Sequence, residues 1–175
     1  MYFSEIYEQH KDMVYNLALQ YVQNREDAQE ITQDTFVSVY NSLKDFNHNS
    51  KVSTWIYRIA INKSLDFIKA RQRKKKSWLV NSLFLFGSNN ESFDVITFDH
   101  PGVLLEQKES MEAIFRCINR LPENQKTAII LSKIEQHSLS QIAEIMNLSI
   151  KAVESLLQRA KANLQKYLDE TGGKD

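Results

Sequence analysis

The sequence predicts an all-α protein made of two helical domains joined by a flexible linker, and three observations carry that prediction. Its 175 residues include four Gly and two Pro, too few for the tight turns of an all-β fold. Apolar residues recur at spacings of three and four, the period of amphipathic helices. Residues 77–102 break that period and contain GSNNES and DHPG, both loop signals. A connection so long without secondary structure is unusual inside one compact domain, which places a boundary there. The expected division is a first domain over 1–76, a linker over 77–102, a second domain over 103–170 and a short tail, 171–175.

Each element can be read in order. A first helix is expected from about Ser4 to Val22, with Phe3, Ile6, Tyr7, His10, Val14, Leu17, Ala18 and Tyr21 at helical spacing. Asn24 and Asp27 offer caps for a second helix. Its inward positions are Ala28, Ile31, Thr35, Phe36, Val39, Tyr40 and Leu43. After the polar break DFNHNSKV, Ser53 or Thr54 is expected to cap a third helix that carries STWIYRIAIN. On a wheel of about 100° per residue, Trp55, Ile56, Ile59 and Ala60 form one apolar arc. Tyr57, Ile61, Leu65 and Ile68 form another. Between them runs a narrow polar stripe of Arg58, Asn62 and Lys69, so most of the aromatic bulk is expected in the core. The linker carries Trp78, Leu79, Phe84, Phe86 and Phe98, apolar enough to predict that it docks somewhere.

In the second block Leu104, Met111, Ile114, Phe115 and Ile118 share a stripe. Leu121-Pro122 ends that helix, and Pro122 suits the start of the next, patterned by Ala128, Leu131, Ser132 and Ile134. The sharpest local signal is SLSQIAEIMNLSIKAVESLLQRAKANL, residues 138–164. Ser138-x-x-Gln141 has the form of a capping box opening a short helix over Ile142, Ala143 and Met146. Asn147-Leu148-Ser149 makes a tight turn, with Leu148 expected to be buried. Ser149 caps a second helix that turns Val153, Leu156, Leu157, Ala160 and Leu164 inward. Ala143 must be small because the two helices cross there. A short helix, a turn and a longer basic helix describe a DNA-reading helix-turn-helix. Its second helix would expose Lys151, Glu154, Ser155, Gln158, Arg159 and Lys161, with Ser149 at its start. A helical hairpin that never meets DNA has the same local pattern.

Charge is balanced overall but not along the chain. Residues 1–50 hold 3 basic and 8 acidic groups, whereas residues 51–80 hold 9 and 1. Such asymmetry points to two surfaces with different partners. The run Arg71, Arg73, Lys74, Lys75 and Lys76 reads equally as a phosphate contact or as a solvated start to the linker. A single cysteine, Cys117, excludes an intrachain disulfide or a multi-cysteine zinc site and fits a reducing compartment. His10, His48, His100 and His137 are scattered, with no metal-ligand spacing, and no phosphate loop or nucleophile motif appears. No enzyme activity, cofactor, metal or small-molecule substrate is therefore expected. The N-terminal MYFSEIYEQHKDM does not read as a signal peptide, and WLVNSLFLFG is about half the roughly 20 residues of a membrane span. A cytoplasmic protein without membrane insertion is the expectation.

Taken together, these segments resemble bacterial RNA polymerase sigma factors of the extracytoplasmic-function (ECF) type, within the sigma-70 superfamily. DAQEITQDTFVSVY is similar to the core-binding helix of region 2. FNHNSKVSTWIYRIAINKSLDFIKARQRKK is similar to the part that melts and reads the −10 element. LPENQKTAIILSKIEQHSLSQIAEIMNLSIKAVESLLQRAKANLQKYL is similar to region 4, which reads the −35 element. The resemblance implies that Gln29, Glu30, Gln33, Asp34 and Val37 dock on the β′ clamp helices of core polymerase, where carboxylates meet arginines. It implies that Asn47, His48, Asn49, Ser50, Lys51, Arg58, Asn62 and Lys69 hold the opened −10 strand. A cationic groove with pocketed bases grips single strands, and Asn and Ser suit a flipped base's pairing edge. It further implies contact with the β flap, promoter DNA as partner, and an inhibitory anti-sigma factor. One departure stands out: where many members have Thr-Val-Lys-Ser-Arg, this chain has Ala152, Val153, Glu154, Ser155 and Leu156. Glu154 could accept from a cytosine N4 amine. The alternative is a stand-alone helix-turn-helix transcriptional regulator, which would leave the first 75 residues without a role.

Overall fold

The computed structural model describes residues 2–47, 49–86 and 105–172, with side chains over 2–47, 49–76 and 111–170. His48, most of the expected linker and the tail's last residues lie outside the described set. All described regular structure is helical: α1 (Phe3–Val22), α2 (Arg25–Ser42), α3 (Val52–Phe86), α4 (Leu105–Asn119), α5 (Glu123–Ile129), α6 (Leu139–Met146) and α7 (Ile150–Gly172).

Helices α1, α2 and α3 pack as a three-helix bundle. Asn24 caps α2 by accepting the Asp27 N–H at 2.9 Å. Val14, Leu17, Ala28, Ile31, Val39, Ile56 and Ala60 are sealed from solvent, as the helical spacing predicts. Each fully buried Val, Leu or Ile side chain among these contributes about 1.5–3 kcal/mol. Tyr40 departs from expectation: it is 63 % exposed. It lies one residue beyond the Val39 stripe, and its ring meets Phe3 edge-on at 5.2 Å on the outside of the bundle. The start of α3 also differs. Val52 opens the helix, so Ser53 and Thr54 lie in its first turn, where Thr54 is buried rather than acting as the cap.

At its other end α3 runs on through Ser77–Phe86, into the stretch expected to lack secondary structure. The reason is local. Residues 77–86 contain no Gly or Pro, and Gly87 is the first helix breaker after Val52.

In the second half, Pro122 sits at the N-cap of α5, and α5 passes directly into a π-helical turn, Ile130–Ile134. There the Glu135 N–H reaches back five residues to Ile130 O at 3.0 Å. Gln136, with φ 55°, then ends the helix in the left-handed conformation. Ser138 and Gln141 form the expected capping box at the start of α6. Asn147 closes α6 at φ 54°, a conformation that asparagine tolerates better than most residues. The Leu148 N–H then bonds to Ala143 O at 2.9 Å. That wrap lays Leu148 over the helix end, where it is 38 % exposed rather than buried. Val153 and Ala160 are fully buried beneath α7, and Ala143 is 8 % exposed at the α6–α7 crossing.

The two halves are docked. Their buried residues form one continuous cluster that runs from Ile6 and Val14 through Ile56 to Phe115, Leu131, Ile142 and Val153.

Candidate nucleic-acid interface

Three surfaces collect the residues singled out from the sequence. The first is the outward face of α7. Ser149, Lys151, Glu154, Ser155, Gln158, Arg159 and Lys161 are all exposed. Ser149 Oγ accepts the Ala152 N–H at 3.2 Å, which fixes the helix start. Arg159 Nε donates to Ser155 O at 3.2 Å, so its guanidinium folds back along its own helix. A face that combines Lys, Gln, Ser and Glu near a helix N-terminus with Arg and Lys further on can read base edges and then grip phosphates. Leu148 and Ile150 are partly exposed beside this N-terminus and add an apolar edge of the kind that meets thymine methyl groups.

The second surface lies between the α2–α3 connection and the start of α3. Asn47, Asn49, Ser50 and Arg58 converge on an open pocket of about 420 Å³. Phe46 and Trp55, stacked at 4.6 Å, form its apolar wall. That size falls within the range of small-ligand sites, about 300–1,000 Å³. An aromatic wall with amide and hydroxyl groups beside it can hold a planar base by stacking and read its polar edge. Lys51 is exposed but is not among the residues that line the pocket. Asn62 and Lys69 do not reach the pocket. They lie further along α3, both exposed, and Lys69 pairs with Glu123 at 3.0 Å. His48 lies outside the described residues.

The third surface is the outer face of α2, where Gln29, Glu30, Gln33, Asp34 and Val37 are all exposed. Tyr40 extends it toward the bundle's end. The basic run after Lys69 is exposed from Arg71 to Lys76, with Arg71 paired to Asp27.

Several contacts that the sequence pattern does not predict matter here. Arg58, expected on a DNA-facing stripe, donates instead to two carbonyls of the second half, Glu144 O at 2.6 Å and Ile145 O at 3.2 Å. Glu144 also lines the 420 Å³ pocket. Lys126 is buried, and its Nζ donates to Tyr21 O at 3.1 Å and Asn119 Oδ1 at 2.6 Å. Burial pulls its pKa down to about 8. Tyr57 Oη donates to Glu135 at 3.2 Å. Its own pKa is raised, first by burial and then by the Glu135 charge. The one available sequence signal was Lys126 standing directly before the apolar run TAIIL. Among the described residues no group of three His, Cys, Asp or Glu could hold a metal ion, and no helix is long and apolar enough to cross a membrane.

Comparison with known proteins matches both halves to related models. One described as Sigma-70 region 2 matches residues 6–74, and one described as Sigma-70, region 4 matches residues 111–164. The ECF RNA polymerase sigma factor SigW of Bacillus subtilis (strain 168) is 31% identical over 170 residues, spanning 95% of this chain and 88% of SigW. The ECF RNA polymerase sigma-E factor of Escherichia coli (strain K12) is 32% identical over 154 residues, covering 87% and 78%. Among solved structures, CnrH in complex with the cytosolic domain of CnrY superposes with a TM-score of 0.63 at 22% identity, covering 96% of this chain and 88% of that one. RpoE of Bartonella quintana, crystallised with the anti-sigma factor NepR, gives a TM-score of 0.63 at 20% identity, covering 95% and 96%. These structures share the fold.

Proposed function

The chain belongs to the ECF type of the sigma-70 family of RNA polymerase sigma factors, and from that premise we propose how its surfaces divide the work. As a sigma factor it binds core RNA polymerase and directs transcription initiation at specific promoters through −10 and −35 elements. Residues 1–76 form the region 2 unit and 103–170 the region 4 unit. Residues Gln29, Glu30, Gln33, Asp34 and Val37 dock on the β′ clamp helices, where exposed carboxylates pair with arginines. The Asn47–Lys51 loop and Arg58, with Asn62 and Lys69 further along α3, hold the opened −10 strand, and the outer face of α7 reads the −35 duplex. The nucleotide chemistry belongs to the polymerase, and this chain supplies recognition.

The observation that carries this reading is the pocket before α3. Four of the residues assigned to −10 binding gather there around an aromatic wall. A stand-alone duplex-binding regulator has no use for it, nor for the exposed acidic face of α2. Run-off transcription with purified core enzyme tests the assignment, using promoters whose starts are mapped after overexpression of the chain. A transcript that depends on the chain is expected. Its absence from every mapped promoter would sink the reading.

An anti-sigma factor is the further partner proposed, covering residues 29–37 or the outer face of α7. Both surfaces are exposed, and both must be free for initiation. Cross-linking the chain to its bound inhibitor should protect one of them. A map that leaves both accessible contradicts this assignment.

A further inference from the structure

The outward face of α7 carries two side chains that do not suit a general grip on DNA. Ile150 is apolar and 47 % exposed, and Leu148, two residues before it, is 38 % exposed. Glu154 is an exposed carboxylate on a face whose partner is a polyanion. Both Ile150 and Glu154 are unfavourable where only phosphates are met, since apolar area stays in water and like charges repel. Single exposed apolar residues are ordinary on protein surfaces. Here, however, the apolar side chain and the carboxylate stand one helical turn apart, at the end of the helix whose residues meet base edges.

The backbone around this pair is fixed on both sides. The Leu148 N–H donates to Ala143 O at 2.9 Å, Ser149 Oγ accepts the Ala152 N–H at 3.2 Å, and the Val153 N–H donates to Ser149 O at 3.1 Å. Val153, which lies between the two in sequence, is fully buried and sets the rotation of α7 about its axis. Residues four apart share a helix face, with Cβ atoms about 5–6 Å apart. Ile150 and Glu154 therefore form one column along the helix, beside the exposed Lys151, Ser155 and Gln158. At about 3.4 Å per base pair that separation matches one to two steps of duplex. A helix lying in the major groove keeps such a column on one side of the groove, against the bases of one strand.

The base edges decide what each side chain accepts. In the major groove only thymine offers a methyl group, and the other bases offer polar atoms that an apolar side chain leaves unsatisfied. Cytosine presents an N4 amine that a carboxylate can accept from. Adenine's amine sits beside the N7 acceptor, and guanine and thymine present acceptors that repel a carboxylate. Given the sigma-factor reading, on which this inference rests, we propose that Ile150 and Glu154 are a specificity-determining pair for the −35 element. Ile150 packs on a thymine methyl, and Glu154 accepts from the N4 amine of a cytosine one or two steps away on the same strand. Lys161, two turns beyond Glu154, meets phosphate and adds affinity without choosing a sequence.

The test uses holoenzyme assembled from core polymerase and the full chain, on a promoter mapped after overexpression. In its −35 duplex each thymine is replaced in turn by deoxyuridine, which lacks only the methyl group. Each cytosine is replaced in turn by 2-pyrimidinone, which lacks only the amine. Affinity is read by competition binding at one salt concentration, with run-off transcription in parallel. The wild-type chain is expected to lose about fourfold at one thymine, the scale of one buried methyl group. It should lose about tenfold at a cytosine one or two steps away, within the range of one base-edge contact. Ile150→Ala should abolish the methyl effect and keep the amine effect, and Glu154→Ala should do the reverse. Both positions are exposed, so neither substitution opens the core. Three results overturn the pair: a wild-type chain indifferent to every methyl and amine, sensitive positions further apart or on opposite strands, or a variant that keeps the effect assigned to its residue. Any of these alongside a promoter-dependent transcript leaves the sigma-factor reading standing. No promoter-dependent transcript at all defeats that reading, and the pair falls with it.

Discussion

Lys126 shows how one residue sets a condition on the whole molecule. Its amine is buried among Tyr21 O, Asn119 Oδ1 and the Tyr21 ring, and its pKa falls from 10.5 to about 8. The unfolded chain therefore binds more protons than the folded one between about pH 8 and 10.5, and stability rises with pH across that window. Below about pH 8 the penalty is constant, on the order of 3–4 kcal/mol at about 1.4 kcal/mol per pKa unit. Lys126→Met should remove this rise, which urea unfolding at several pH values would show as a flatter profile than wild type. Equal slopes would mean that the amine is not desolvated. On the outer face of α7, Glu154 and Lys161 should separate cleanly. Glu154→Ala is expected to relax preference at one −35 base pair by about 1–3 kcal/mol. Lys161→Ala should weaken all sequences alike and lower the salt slope by about 0.9. Binding isotherms of the holoenzyme on −35 variants at several salt concentrations distinguish the two behaviours.

At the scale of elements, the helix ends deserve more weight than the helix bodies. Among the described residues three non-glycine ones, Gln23, Gln136 and Asn147, hold positive φ, each just past a helical segment. Asn147 sets the angle at which α6 meets α7. Asn147→Ala loses asparagine's tolerance of that conformation and should cost about 1 kcal/mol by chemical denaturation. Because the turn fixes the helix-turn-helix, −35 affinity should fall with it. A neutral result would mean that the turn is held by packing alone. The helix bodies were largely legible in the sequence, since burial follows the spacing of Val14, Leu17, Ile31, Val39, Ile56 and Val153. The ends were less so. Tyr40 and Leu148 were expected inside and lie outside, because apolar character does not say which edge of a stripe a residue occupies. The continuation of α3 to Phe86 was missed for a related reason. Loss of apolar period does not stop a helix that meets no breaker.

For the whole molecule, the candidate site divides the same way. All seven residues expected on the reading face of α7 are exposed, and Asn47, Asn49, Ser50 and Arg58 gather at one pocket. These were legible because capping, turn and helix signals act over a few residues. The docking of the halves was not. It depends on single polar groups whose partners are distant in sequence: Tyr21 reads locally as a core residue, Arg58 as a DNA-facing one and Lys126 as a surface position, and none of these readings points to the other half. On the proposed division of surfaces, function requires both halves on one promoter, with the α2 face on the polymerase. The most direct test is run-off transcription by core enzyme with the chain, on a promoter mapped after its overexpression. The account predicts a transcript that requires the chain and falls at least about tenfold when either the −10 or the −35 element is scrambled. A transcript made equally well by core enzyme alone, or indifferent to both elements, would contradict it.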